Sequence, residues 1–144
     1  MSVAVIGKGA SYEFRWRVWA LLRDVIAANL DETTVPAFAA LGDALVKGSM
    51  TIEAAALAAD VEKIRAWCVG KSFDELVIGP RTSAIVHFSD MATSRRPLAM
   101  TEIERIRPIA DSADLAEYFA VMLDSLARVS AHPADDGTVE VIDA

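Results

Sequence analysis

The sequence predicts a single α+β domain in which helices dominate and a small antiparallel sheet completes the fold. The 144 residues are 53% hydrophobic and include only seven glycines and five prolines. A chain of this length and composition buries enough surface to fold without disulfides or a structural metal. Two pairs of short β-prone runs, each pair separated by a turn sequence, indicate hairpins. Longer segments carry apolar residues at helical spacing, and a purely helical bundle is the alternative.

The first predicted hairpin lies near the N-terminus. Residues 3–6 form a β-prone run, and Gly7-Lys8-Gly9 favours a turn directly after it. Over residues 12–18, apolar side chains alternate with charged ones, which is the period of a strand with one buried face. Phe14, Val18 and Leu22 also have helical spacing, so both a strand and a helix stay open for residues 12–18.

A helix is predicted over residues 35–47. Thr34 is a good N-cap, and Pro36 falls in the first turn, where its missing N–H carries no penalty. Gly48 favours the end of the helix. The apolar residues expected to face the core are Phe38, Leu41 and Leu45.

A second helix is predicted from about Thr51 to Gly70. Its apolar residues recur at intervals of four, three and four, and they therefore share one face. These residues are Leu57, Val61, Ile64 and Cys68. Alanines at 54–56 and 58–59 give the same helix a smooth surface that allows self-association.

The second predicted hairpin lies in the middle of the chain. Residues 76–79 and 84–88 are β-prone and flank a turn at Pro80. With these two runs the predicted sheet consists of the segments 3–6, 12–18, 76–79 and 84–88.

The strongest helical periodicity lies near the C-terminus. Its apolar residues are Leu115, Phe119, Met122, Leu126 and Val129. We therefore expect one globular domain over residues 1–130. Residues 131–144 are acidic and are predicted to form a flexible tail. The alternative for this tail is an added edge strand containing Val139, Val141 and Ile142.

The charge and cysteine content exclude several classes of protein. Fourteen basic and 21 acidic residues give a net charge of −7, which disfavours attraction to nucleic acid. No window approaches the roughly 18 continuous apolar residues of a membrane span, and no signal peptide is expected. Cys68 is the only cysteine, so no intramolecular disulfide can form. We therefore expect a cytoplasmic protein that binds neither nucleic acid nor membrane.

No residue pattern meets the requirements of a catalytic, cofactor or metal site. Residues 3–10 open like a dinucleotide-binding fingerprint, but Tyr12 occupies the position of the third glycine, so a plain turn is expected. His87 and Asp90 are close in sequence, yet residues on one strand point in alternating directions and do not form a catalytic triad by themselves. His132 lies 45 residues from His87, which disfavours a zinc site. The sequence therefore favours a protein without cofactor, metal or catalytic residues.

A set of arginines is the remaining polar feature. Guanidinium groups form bidentate hydrogen bonds with carboxylates and phosphates, so these residues fit an acidic partner, an anionic ligand or the chain's own carboxylates. The candidate partner- or anion-binding residues are Arg15, Arg17, Arg81, Arg95, Arg96, His87 and Asp90.

The leading functional hypothesis is a non-catalytic protein-binding module, such as an adaptor, an inhibitor or an immunity-type neutraliser. It rests on a well-specified core, an acidic net charge and the separation of arginines from carboxylates along the chain. The alternative is a small-ligand-binding protein or small enzyme, with a pocket near His87 and Asp90 between the sheet and the long C-terminal helix. A homo-oligomer is a third possibility for this chain.

Overall fold

The structure is a computed structural model, and it describes residues 2–15, 19, 23, 32–68 and 113–144. The strands are β1 (Ser2–Ile6), β2 (Ser11–Arg15), β3 (Ser49–Glu53) and β4 (Thr138–Asp143). The helices are α1 (Pro36–Ala40), α2 (Ala44–Lys47), α3 (Ala54–Cys68) and α4 (Ala113–Ser130), with short 3-10 helices at Glu32–Thr34 and Leu41–Asp43. This combination of helices with an antiparallel sheet confirms the predicted α+β class.

The four strands form one antiparallel sheet in the order β2-β1-β4-β3. β1 and β2 form the predicted N-terminal hairpin, in which Val3 stands opposite Phe14. β4 lies between β1 and β3, with Val141 opposite both Val5 and Met50. The sheet therefore joins the two ends of the sequence.

One face of the sheet, the inner face, is buried because apolar residues occupy every second position of each strand. The buried side chains of this face are Val3, Val5, Phe14, Ile52, Val139 and Val141. Helix α4 contacts β1 and β2, and α3 packs against α4. All these elements contribute side chains to one hydrophobic cluster.

The apolar stripes predicted for α3 and α4 form the helical half of this core. In α3, Leu57, Val61 and Ile64 are fully buried, and Cys68 is half-buried. In α4 the buried residues of the stripe are Phe119, Met122, Leu126 and Val129. Since each such side chain contributes about 1.5–3 kcal/mol when fully buried, the two stripes account for much of the stability. The side chain of Leu115 lies outside the described residues.

The prediction of a flexible tail over residues 131–144 is wrong for residues 138–143. They form β4, an interior strand that pairs on both sides, with Val139 and Val141 fully buried. The alternative prediction was correct that this segment is a strand, but it placed the strand at an edge. Acidic composition suggested a tail, whereas pairing with two strands distant in sequence determines the conformation.

The helix predicted to begin near Thr51 begins at Ala54 instead. Residues Ser49–Glu53 form β3, where Met50 and Ile52 face the core while Thr51 is exposed. Along this segment the apolar residues repeat every second position, which is the period of a strand and not of a helix.

The helix predicted over residues 35–47 is interrupted. A 3-10 helix at Leu41–Asp43 separates α1 from α2, although Phe38 and Leu41 are buried as predicted. The N-cap residue of α1 is Val35 and not Thr34, and its side chain makes no capping bond. Gly48 adopts a φ of +80° and ends α2, as its position predicts.

Residues 12–15 belong to β2, which confirms the strand interpretation for that part of 12–18. Trp19 is fully buried and helical. Positions 16–18 and the predicted strands 76–79 and 84–88 lie outside the described residues.

Candidate partner interface

The second face of the sheet, here called the outer face, carries exposed side chains on β2, β3 and β4. Its side chains alternate with the buried ones and belong to Ser2, Ala4, Ile6, Ser11, Glu13, Arg15, Ser49, Thr51, Glu53, Thr138, Glu140 and Ile142. At its centre, Ala4 stands opposite Ile142, and both are half-buried, as is Ile6. The outer face thus has a small apolar centre on the two interior strands.

Carboxylates border this apolar centre. Glu13 stands opposite Ala4 on β2, and Glu140 stands opposite Ile6 on β4. Both glutamates are exposed, as is Glu53 at the far edge. Arg15 supplies a positive charge at one corner, opposite Ser2. These side chains leave the outer face with an excess of negative charge, which complements a basic surface.

Asp60 of α3 is a buried carboxylate in the helical layer, only 5% exposed. Its Oδ2 accepts hydrogen bonds from the backbone N–H groups of Ala37 at 2.7 Å and Phe38 at 3.1 Å. These two N–H groups lie in the first turn of α1, where no partner exists within the helix. Asp60 therefore caps α1 from a neighbouring helix.

The other buried polar side chains also have structural partners. Ser130 Oγ donates to the carbonyl of Leu126 at 2.7 Å, within α4. Arg23 places its guanidinium 5.0 Å from the centre of the Trp19 ring, a cation–π contact. Among the described residues, Arg23, Asp60 and Ser130 make up the buried polar or charged set, and each stabilises the local fold.

The glycine turn after β1 connects two strands, so it is not the strand-to-helix turn of a nucleotide site. Gly7 N–H donates to the Ala10 carbonyl at 2.8 Å, and Gly9 adopts a φ of +73°. Lys8 N–H donates to the His132 carbonyl, which follows α4, at 2.7 Å. A Cβ on Gly7 would clash with the same carbonyl. The glycine therefore permits close approach to the end of α4, which confirms the plain-turn interpretation.

The turn that leads into β4 is held by side-chain bonds. Asp136 Oδ1 accepts from the Thr138 hydroxyl at 2.7 Å and from the Thr138 N–H at 3.0 Å. Bonds from the Thr138 hydroxyl and N–H lower the pKa of Asp136 below its usual value because they stabilise the carboxylate. Lys8 Nζ contacts Asp135 Oδ1 at 2.8 Å, which links this turn to the β1–β2 turn.

Of the seven candidate residues predicted from sequence, the structure describes Arg15. It is exposed on the outer face, as the strand interpretation requires. The remaining candidates lie outside the described residues, namely Arg17, Arg81, Arg95, Arg96, His87 and Asp90.

The predicted pocket lay between the sheet and the long C-terminal helix. Where the structure describes this junction, buried apolar side chains from both sides belong to a single cluster. His132 lies beyond the helix end, where its Nδ1 is 2.9 Å from the Arg128 carbonyl oxygen.

Half of the outer face was missed from the sequence. β3 and β4 contribute half of it, and neither segment was assigned to the predicted sheet. The available signal was the period-two alternation of Ser49–Glu53 and of Thr138–Ile142.

Within residues 2–15, 19, 23, 32–68 and 113–144, no group of three or more His, Cys, Asp or Glu side chains is placed to hold a metal ion. No helix in that part of the chain has the length and hydropathy to cross a membrane. Comparison with protein-family models, curated proteins and solved structures finds no match.

Proposed function

We propose that this chain is a non-catalytic protein-binding module and that its outer face binds a basic protein surface. The observation that carries the proposal is the half-buried apolar centre formed by Ala4, Ile6 and Ile142, which the exposed Glu13 and Glu140 border.

This arrangement resembles the general organisation of protein–protein interfaces. Such interfaces combine an apolar core, which supplies binding energy as water is displaced, with a polar rim that orients the partner. Ala4 and Ile142 are adjacent across β1 and β4, so a partner can cover them together. The apolar centre is small, so much of the specificity must come from the surrounding charges.

Charge favours a basic partner. The chain carries a net charge of −7, which attracts a positively charged protein and raises its association rate at low salt. Glu13 and Glu140 lie on either side of β1 and can pair with two cations of one partner. Arg15, at the corner opposite Ser2, is placed to pair with an acidic group of the partner and so to set its orientation.

The biological class we propose is an adaptor, an inhibitor or an immunity-type neutraliser acting in the cytoplasm. An acidic protein that covers a basic functional surface of another protein can act in each of these roles. The single cysteine is consistent with a reducing compartment.

The test compares affinity capture by the wild-type chain with capture by a Glu13→Lys/Glu140→Lys variant. The matched control is Glu62→Lys/Glu117→Lys, which makes the same change in net charge at exposed positions of α3 and α4, away from the outer face. A specific partner should bind the wild type and the control equally from a lysate of the source organism. Its affinity, measured with the purified partner, should fall at least about tenfold for the outer-face variant and should weaken with added salt.

Equal binding by all three proteins would refute the proposal for the outer face. Native mass spectrometry adds a second discrimination, because a small molecule retained by the purified chain would support the alternative ligand-binding or enzymatic function. A captured partner that proves acidic would also contradict the proposed charge complementarity.

A further inference from the structure

The two edge strands of the sheet differ in whether each can pair with the same strand of a second copy of the chain. β3 is one edge and β2 is the other. This question concerns the backbone at the edges and is independent of the proposed binding function of the outer face.

The hydrogen bonds around β3 show which of its backbone groups point outward. Ala54 N–H donates to Gly137 O, and Asp143 N–H donates to Gly48 O, each at 3.0 Å. Bonded and non-bonded pairs alternate in an antiparallel ladder, so the even-numbered positions of β3 bond to β4. Its odd-numbered residues, Ser49, Thr51 and Glu53, therefore direct their N–H and C=O groups away from the sheet.

This outward edge is accessible. Ser49, Thr51 and Glu53 are all exposed. Among the described residues, no hydrogen bond crosses the outer side of β3. An uncovered row of backbone donors and acceptors is a template for pairing with another strand.

The sequence of β3 is complementary to itself in one antiparallel register. When Thr51 stands opposite Thr51 of a second copy, the outward N–H and C=O groups of the two β3 strands face each other and can form hydrogen bonds. Ser49 then stands opposite Glu53 of the second copy, so no like charges are opposed. On the inner face, Met50 stands beside Ile52 of the second copy, which extends the apolar layer that both residues already join. Threonine pairs and apolar pairs across strands are both stabilising.

The other edge lacks this complementarity. The Gly7–Ala10 bond shows by the same alternation that Ser11, Glu13 and Arg15 point their backbone groups outward from β2. Its symmetric register would place Glu13 directly opposite Glu13 of a second copy. Like charges in that position are destabilising, so β2 is protected against self-pairing while β3 is not.

We propose that two copies of this chain associate through β3, in antiparallel register about Thr51, to form one continuous sheet across a twofold axis. A five-residue edge is a small interface, so the dimer is expected to form at protein concentrations on the order of 10–100 μM.

The experiment is sedimentation equilibrium of the full chain from about 1 μM to about 1 mM. The wild-type mass should rise from the monomer value towards twice that value as concentration increases. Thr51→Pro removes one outward N–H at an edge position, where proline is compatible with a strand, and it should weaken association at least tenfold. Ser11→Pro removes an outward N–H from β2 but keeps Glu13, and it should leave association unchanged. Circular dichroism verifies that both variants keep the fold.

A second measurement does not depend on the proline variants. The variant Thr51→Cys is made in a Cys68→Ser background, so that each chain has one thiol. In the proposed dimer the two Cα atoms at position 51 lie about 5.5 Å apart, which is within the range that a disulfide can span. Oxidation should cross-link T51C faster than S11C, a variant with a cysteine on the β2 edge that keeps Glu13. The proposal is overturned if the wild type stays monomeric at every concentration, or if the two proline variants weaken association to the same extent. It is also overturned if the two cysteine variants cross-link at the same rate.

Discussion

Replacing Asp60 tests the idea that a carboxylate on α3 holds the first turn of α1 in place. Its Oδ2 accepts two backbone N–H bonds, from Ala37 at 2.7 Å and Phe38 at 3.1 Å. Both residues are buried, as is Asp60 itself. Asp60→Ala therefore removes the acceptor of two buried backbone donors.

The expected loss of stability follows from the free-energy cost of leaving buried donors without hydrogen bonds. Each costs about 1–3 kcal/mol, and removal of the buried charge offsets part of the total, so Asp60→Ala should destabilise by about 2–4 kcal/mol. Asp60→Asn keeps an oxygen acceptor but loses the charge, and it should cost about 1–2 kcal/mol. At about 3 °C per kcal/mol, the alanine variant should melt about 6–12 °C lower.

The assay is urea unfolding followed by circular dichroism, with thermal melting as a second measurement. Glu62→Ala is the matched control, because Glu62 lies on the same helix but is exposed and should change stability by about 0.5 kcal/mol or less. If Asp60→Ala were as stable as Glu62→Ala, the capping role would be refuted. If Asp60→Ala showed the expected loss of stability and Asp60→Asn lost as much, the charge of Asp60, and not its acceptor oxygen, would be responsible.

Four further predictions concern the turns and the helix pair. Gly7→Ala should destabilise by about 2–3 kcal/mol in urea unfolding because its Cβ meets backbone at the end of α4, and wild-type stability would contradict this packing. Thr138→Val should raise the pKa of Asp136 towards 3.8 in an NMR titration, since it removes the hydroxyl bond that contributes most to the lowering. Because the folded pKa of Asp136 is lowered, its stabilising contribution is present above pH 3.8 and lost as pH falls through the folded value; Asp136→Asn should remove that part of the acid dependence. A double-mutant cycle on Arg65 and Asp124, 2.8 Å apart with side chains 37% and 71% exposed, should give a coupling of about 0.2–1 kcal/mol between α3 and α4, and a value above about 2 kcal/mol would contradict a solvent-screened pair.

Prediction from sequence succeeded where local signals and the tertiary environment agree. The apolar intervals of α3 and α4 repeat at the helical period, and each stripe is buried in the core. The turn after β1 needs Gly9 for a local backbone reason, its positive φ, and it lies between strands of adjacent sequence. Such elements require no information about distant parts of the chain.

Prediction failed where partners distant in sequence determine the conformation. Val139 and Val141 alternate with polar residues over only a few positions, which is too short a pattern to outweigh an acidic and proline-containing context. β1 and β3 bury these valines from both sides, and neither pairing can be read from residues near 139. Thr51 and Glu53 suggested a helix start for a similar reason, because their local chemistry suits a helix cap as well as an exposed strand face.

The candidate interface was predictable only in part. Arg15 was assigned to an outward strand face, and the structure places it there. Glu140 and Ile142 were assigned to a tail, so their position beside Ile6 and Ala4 could not be anticipated. The capping bond of Asp60 was also missed, since α1 and α3 meet only after folding.

The sequence by itself determined the fold class, the two main amphipathic helices and the N-terminal hairpin, because each depends on periodicity or turn chemistry within a short window. Tertiary structure decided the order of the strands, the burial of β4 and the identity of the residues that share the outer face. The physical reason is that strand pairing is a non-local interaction. A strand acquires its hydrogen bonds and its buried neighbours only from segments that the folded chain brings beside it.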